Sequence, residues 1–469
     1  MLEVIAYHAR RAPDSIAAYV DGRELTYLDM LKALSRLVVG LQGLPLMPGQ
    51  LVGVACPSDF LHLMMMFALE ALGIVALPFA QPTDPGIEKA LVHCNLILAS
   101  QPTLVARPFV QVTLEWLRSV ISGPDPSAIA VPSVRAPGYV LTTSGTTGAA
   151  KAMRLGAASL TLREHDRIWQ YGLTRTSRFS VAMPITVGGV YSTARACLRA
   201  RGAVIFQAGA APEVSLPFTT HVVLLPIHVR HLLNLLPPAY VPTQPLALIS
   251  MGARLPDSLR NRAVERLGAV VHDGYGANET GPISVVDANG QGDVLPGVEI
   301  RIVNDAGEPL RFGEVGHIWV RSHSQITGYL EPEHSKRYLH DGWFDTGDLG
   351  KQSSSRLLQV LGRPDAMLNI GGLKVASEEI EDLLITQQVA KDIAVCALPD
   401  AEGIQELYVA LVDPAGGDAH LMASIAHHLG ANFGHIRVVR FARIPRGAGG
   451  KIQRNELQRL LQEVVGRSA

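Results

Sequence analysis

The residues best suited to chemistry lie in one stretch, Tyr139-Val140-Leu141-Thr142-Thr143-Ser144-Gly145-Thr146-Thr147-Gly148-Ala149-Ala150-Lys151. An apolar run of strand composition leads into it. From Thr142 to Gly148 every residue is a hydroxyl residue or a glycine. Such a loop can bring backbone N–H and side-chain O–H groups close to an oxyanion. Gly145 and Gly148 permit close approach, and Lys151 adds a point charge suited to phosphate. Taken generically, a Ser/Thr/Gly cluster is also what a flexible polar turn looks like. It is not a Walker loop, because no Gly-Lys-Ser/Thr follows at the required spacing.

Four further stretches carry candidate groups. Residues 271–282 read Val-His-Asp-Gly-Tyr-Gly-Ala-Asn-Glu-Thr-Gly-Pro, a short apolar run entering Gly-Tyr-Gly. Residues 342–349 read Gly-Trp-Phe-Asp-Thr-Gly-Asp-Leu, and residues 362–381 contain Gly-Arg-Pro-Asp followed by Asn-Ile-Gly-Gly-Leu-Lys. Residues 445–454 read Pro-Arg-Gly-Ala-Gly-Gly-Lys-Ile-Gln-Arg. Each alone is ordinary turn or surface chemistry. In this order they resemble the motifs of the adenylate-forming superfamily: acyl- and aryl-CoA ligases, peptide-synthetase adenylation domains and firefly luciferase. Leu25-Thr26-Tyr27 resembles the family's opening motif, so the resemblance covers nearly the whole chain.

The resemblance implies roles residue by residue. Thr143, Ser144, Gly145, Thr147, Gly148 and Lys151 would cradle the ATP phosphates, with Thr146 among the catalytic groups. Asp273, Gly274, Tyr275 and Gly276 would hold adenine, Tyr275 by stacking and Asp273 by accepting its amino hydrogen. Asn278 stands where the family usually has Thr. Glu279 would hold Mg²⁺, a task suited to a hard carboxylate oxygen. Asp348 would accept both ribose hydroxyls, and Arg363 and Lys374 would reach ribose or phosphate. Asp365 falls on the family's hinge. Lys451 would be the catalytic lysine. It is needed because a carboxylate attacking the α-phosphate joins two anions, and charge builds on the non-bridging oxygens. The family's proline before the phosphate-loop lysine is Ala150 here, and its frequent second hinge aspartate is Ala366.

The implied acyl pocket lies between residues 184–193, 250–253 and 274–283, with Thr186, Gly188, Gly189, Met251, Gly252, Pro282 and Ile283 as its wall. Small apolar residues suit a neutral aromatic or short-to-medium aliphatic acid. Amino-acid-activating relatives place an aspartate near 186–189, and none stands there. Asp-Gly before Tyr275 resembles benzoate-type ligases. The expected reaction is acid plus Mg·ATP to acyl-adenylate, then transfer to coenzyme A. A carrier-protein thiol or an amine as acceptor, and a nucleotide-binding relative without chemistry, remain as alternatives.

Around these groups the alternation of short apolar strands and amphipathic helices from residue 15 to about 272 predicts a doubly wound α/β body. Short strands with glycine turns from about 283 to 361 predict a β-rich subdomain. The last hundred residues predict a small α+β unit, which the resemblance implies is mobile. The expected division is 1–361 for the AMP-binding domain, 362–366 for the hinge and 367–469 for the lid. The chain has 469 residues, 48% hydrophobic and 18% charged, with a formal net charge of −1. That balance favours no nucleic-acid or membrane partner. Four scattered cysteines predict free thiols and no metal cluster. No apolar leader is evident at residues 1–10, so the expected location is cytoplasmic. Residues 61–80 approach the length of a membrane span, but Glu70, Gly73 and Pro78 interrupt them, which predicts a buried helix and a core strand.

Overall fold

A computed structural model gives the fold. It describes residues 1–82, 87–122, 138–143, 151–207, 215–252, 255, 257–287, 291–362, 367–370, 373–387, 389–400, 402–414, 417–429, 435–445, 452 and 454–466.

Two large sheets organise the first 362 residues. One has seven strands in the order Gly328–Tyr329, Lys151–Leu155, Tyr139–Thr143, Val75–Pro78, Leu51–Ala55, Leu96–Ala99, Phe109–Gln111. From Tyr139–Thr143 to Phe109–Gln111 the pairing is parallel. These strands are bounded by helices, as parallel crossovers require. The second sheet runs through Ile16–Val20, Ala203–Phe206, Arg178–Ser180, His221–Leu224, Leu246–Ser250 and Ala269–Ala277, all parallel. It then turns antiparallel through Gly281–Val286 and Gln291–Val294 into the β-rich subdomain. Ala269–Ala277 is therefore the seam between the α/β body and the antiparallel region.

The helix Asp59–Ala71 settles the apolar run at 61–80. Ser58 caps it by accepting from Leu61 N, and Leu63 to Leu69 are buried in the main core. Its 13 residues span about 20 Å, too short for a bilayer core of about 30 Å. Among the described residues no helix is long and apolar enough to cross a membrane. The four cysteines are free.

The Leu25-Thr26-Tyr27 motif has a structural explanation. Thr26 and Asp29 form a reciprocal capping box at the start of helix Tyr27–Gln42. The buried Tyr27 hydroxyl donates to Leu198 O at 3.0 Å and Gly202 O at 2.9 Å, tying that start to the end of helix Gly188–Arg199. Beneath that helix, Arg195 pairs with Glu164 and Glu70, and Arg199 pairs with Glu164. This buried cluster joins helices Asp59–Ala71, Ala157–Tyr171 and Gly188–Arg199.

Several boundaries differ from the sequence reading. The strand expected at Ser180–Met183 is Arg178–Ser180. The chain leaves the sheet early because the following loop is held elsewhere, Ile185 N donating to Asp59 Oδ1 at 2.8 Å. The strand expected at 269–272 continues through Gly-Tyr-Gly to Ala277, because Gly281–Val286 folds back on it as a hairpin. Helix Leu2–Arg11, the strand Lys151–Leu155 and the hairpin Met367–Ile370/Leu373–Ala376 were not expected.

The C-terminal unit is a three-stranded sheet, Ala390–Pro399, Gln405–Pro414 and Ile436–Arg440, with helices Ser377–Thr386, Asp418–Leu429 and Arg454–Gly466. It rests against the body through Ile404, which is 2% exposed among leucines of helices Pro226–Leu235 and Asp257–Leu267. Arg230–Asp400 and Arg262–Glu402 ion pairs flank that contact.

Candidate active site

The expected phosphate loop joins two paired strands. Tyr139–Thr143 and Lys151–Leu155 pair antiparallel, with Thr143 opposite Lys151. Residues 144–150 span the two ends; Ser144, Gly145, Thr146, Thr147 and Gly148 lie outside the described residues, as does the Thr143 side chain. Lys151 is 8% exposed, and its Nζ sits 3.8 Å from the centre of the Tyr338 ring. The short strand Gly328–Tyr329 pairs with Arg154 and Met153, which brings Tyr329 beside the same hairpin. The Tyr329 hydroxyl donates to Glu279 Oε1 at 2.7 Å. Burial, then Glu279, pushes this phenol above its ordinary pKa, so it stays a donor. The two tyrosine rings are 6.0 Å apart. Lys151, Tyr338, Tyr329 and Glu279 thus form one chain of contacts. Neither tyrosine was expected. Their only signal was two aromatic residues in the polar, aperiodic run Gly328-Tyr-Leu-Glu-Pro-Glu-His-Ser-Lys-Arg-Tyr338.

The Gly-Tyr-Gly seam positions the next groups. Tyr275 Oη donates to Asp348 Oδ2 at 2.7 Å, joining residues 73 apart in sequence. Thr-Gly-Asp alone is ordinary turn chemistry, but here Asp348 lies in the long strand Trp343–Ser354. A register shift opposite Ile318 accommodates Thr-Gly-Asp there. Gly347 has φ +70, and Asp348 N donates to Thr346 Oγ1, which itself donates to Ile318 O at 2.9 Å. The bulge re-aims a side chain while keeping the strand paired. Trp343 is stacked between the guanidinium groups of Arg301 and Arg321, at 4.1 and 4.4 Å.

Asp273 is buried, and its Oδ2 accepts from Arg260 Nη2 at 2.9 Å and Leu255 N at 3.2 Å. It clamps helix Asp257–Leu267 to the seam. Ile283 is fully buried with Ile302, Ile318, Val320 and Leu358 in the β-rich subdomain, a cluster against which Tyr275 also packs. Pro282, half-buried beside it, pairs with Gly276.

Gly188 lies against Leu141 and Asn278, and Gly189 against Met251. A Cβ on Gly188 would fall 2.8 Å from Leu141 Cδ2 and 3.0 Å from Asn278 Oδ1. On Gly189 it would fall 2.3 Å from Met251 Cε. Only glycines at the start of helix Gly188–Arg199 let Asn278 and Met251 come this close. A Cβ on Gly274 would find only Ser250 O, at 4.0 Å, so that face of the seam is open. Thr186 is half-buried in the preceding loop. Arg163, buried, donates to Asn278 O at 2.9 Å and Ser324 O at 3.0 Å, fixing the segment that carries Glu279. Gly252 O accepts from Asn369 Nδ2 of the C-terminal hairpin at 3.4 Å.

Arg363, Asp365 and Lys451 lie outside the described residues, and so does the Lys374 side chain, although its backbone pairs with Asn369. The residue that closes the lysine motif is well fixed. Arg454 makes a two-pronged pair with Glu381 at 2.9 and 3.1 Å and donates to Val395 O at 2.9 Å.

The AMP-binding enzyme family profile matches residues 5–330 of this chain. The chain belongs to that family. This AMP-binding enzyme is 33% identical to a 3-hydroxybenzoate–CoA ligase of Aromatoleum sp., over 46% of this chain and 44% of that relative. The chain thus aligns with under half of that relative's length. It is 26% identical to an indoleacetate–CoA ligase of Aromatoleum aromaticum over 98% of both. In fold it is similar to an amide bond synthetase from Marinactinospora thermotolerans, with TM-score 0.81 and 23% identity over 97% of this chain and 99% of that one.

Proposed function

We propose that this protein is an ATP-dependent acid–thiol ligase working through an acyl-adenylate. An oxygen of the acid attacks the α-phosphorus of ATP. The carboxyl O–P bond forms, the bond to the β-phosphate oxygen breaks, and pyrophosphate leaves with the electron pair. A thiol sulfur, that of coenzyme A, then attacks the acyl carbon, and AMP leaves. The observation that carries this reading is the Tyr275–Asp348 hydrogen bond. It unites a ring able to stack on adenine with a carboxylate able to accept from ribose.

Other residues fit the same reaction. Lys151 and the 144–150 loop would bind the phosphates. Glu279 would hold Mg²⁺, which supplies charge neutralisation between the phosphates. The residues fit that ion: an oriented carboxylate oxygen suits it, and one carboxylate suffices where substrate phosphates supply other ligands. Among the described residues there is no group of three or more His, Cys, Asp or Glu side chains able to hold a metal. Lys451 would meet the charge that builds in the first step. Gly188, Gly189, Met251 and Gly274 would receive a neutral aromatic or short-to-medium aliphatic acid, with aryl acids favoured by the relatives' names.

Pyrophosphate release across a panel of acids, with and without coenzyme A, tests the proposal. Release that depends on acid and yields a thioester by mass supports it. Release without thioester, and with transfer to an amine or a carrier-protein thiol, moves the second step to that acceptor.

A further inference from the structure

The strand Lys151–Leu155 begins with a buried cation that faces a ring instead of an anion. Lys151 is buried, and among the described residues no carboxylate lies within ion-pair distance of it. An ammonium taken out of water needs some compensation. Here the Tyr338 ring supplies it, its centre 3.8 Å from Nζ and well inside cation–π range. The guanidinium of Arg337, the chain neighbour, stands farther from the same ring, at 5.2 Å.

The ring is held from several sides. Tyr338 ends helix Pro332–Tyr338 and is half-buried against the main core. Tyr329 N donates to Ser335 Oγ of that helix at 3.1 Å, and Leu330 N donates to Ala152 O, next to Lys151, at 2.8 Å. Beyond the helix, Leu339 and His340 pair with Phe344 and Trp343, in the strand that carries Asp348. The Tyr329 and His334 rings lie 6.0 and 6.4 Å from the Tyr338 ring. One segment, 328–344, therefore touches Glu279 and Lys151 and pairs with the strand of Asp348.

A ring and a carboxylate would hold a lysine with different consequences. A carboxylate would cancel the charge of Lys151 and repel an incoming phosphate. A neutral ring holds the ammonium through its quadrupole and leaves the full charge for an anion. Resting on the ATP-binding part of the ligase reading, we infer that Tyr338 is the positioning residue of Lys151, its ring holding the ammonium in place for the ATP phosphates without neutralising it.

The test is the dissociation constant of Mg·ATP, measured by equilibrium dialysis with no acid present, so that no turnover is needed. Tyr338→Phe keeps the ring and is expected to bind within about twofold of wild type. Tyr338→Leu removes it and is expected to bind about three- to thirtyfold more weakly, the range from an exposed to a desolvated cation–π contact. In a Lys151→Met background the Tyr338→Leu change is expected to cost nothing further, whereas a packing role would keep the same penalty there. Wild-type affinity in Tyr338→Leu overturns the inference, and so does a penalty that persists without Lys151. If Tyr338→Leu does not fold, 3,4,5-trifluorophenylalanine at position 338, which keeps the shape and weakens the face of the ring, is compared with Tyr338→Phe under the same criteria. ATP binding with no pyrophosphate from any acid overturns the ligase reading and leaves this inference standing. A wild type that binds no ATP overturns both.

Discussion

At the scale of single residues, the site depends on side chains held by unlike partners. Tyr329→Phe removes the donor to Glu279 and nothing else at that oxygen. A hydrogen bond to a charged group contributes about 1.5–3 kcal/mol. The expected outcome is a roughly tenfold or larger rise in the magnesium needed for half-maximal pyrophosphate release; an unchanged titration would remove Tyr329 from the site. Gly189→Ala tests the acyl wall. The new Cβ meets only the Sδ and Cε of Met251, a side chain that can swing away. Stability should change by under about 1.5 kcal/mol, while KM rises more for bulky acids than for small ones. A uniform rise across the panel would contradict this.

At the scale of elements, two ion-pair systems fix helices next to the proposed catalytic groups. Arg454 binds Glu381 and Val395 O at the first turn of helix Arg454–Gly466, three residues after Lys451. Arg454→Met should lower the adenylation rate at least tenfold, with a smaller effect on thioester formation from supplied acyl-AMP. Equal loss in both half-reactions would show a general folding defect. The second system is the Glu70–Arg195–Glu164 cluster under the acyl wall. Burial alone would raise the Glu70 carboxyl, but Arg195 and the terminal amino group bring it down to about 2 from an ordinary 4.5. A depressed carboxyl contributes its full stability above the unfolded value and loses it as pH falls towards the folded one. Glu70→Gln should therefore cost about 2–4 kcal/mol at pH 7. The gap to wild type should narrow between pH 4.5 and 2. Urea midpoints for both proteins at pH 7 and 3.5 check this; a gap that is constant with pH would refute it.

At the scale of the whole molecule, the C-terminal unit docks on helices Pro226–Leu235 and Asp257–Leu267 through Ile404 and two ion pairs. In the proposed reaction one acyl group first attacks ATP and is then attacked by a thiol, so we propose that this docking is one stop of a rotation near Asp365. Ile404→Asp buries a charge in that contact and should release it. The expected result is a several-fold change in one half-reaction and a smaller change in the other, with the body's melting temperature within a few degrees of wild type. Equal change in both would mean the contact does not bias the cycle.

The amino-acid order alone determined many of the elements and the family's motifs. Strand and helix periodicity located the α/β body, and the motifs' resemblance to the family implied one site for Lys151, Tyr275, Glu279 and Asp348. These signals are local: each depends on spacing within some ten residues. Tertiary structure alone decided the partners. It paired Tyr275 with Asp348, gave Glu279 to Tyr329, gave Asp273 to Arg260 and turned Ile283 into the β-rich core. A hydrogen bond between residues 73 or 50 apart leaves no periodic trace, because it depends on which strands become neighbours. A bulge that sets Thr346, Gly347 and Asp348 opposite Ile318 alone then decides which way a side chain faces.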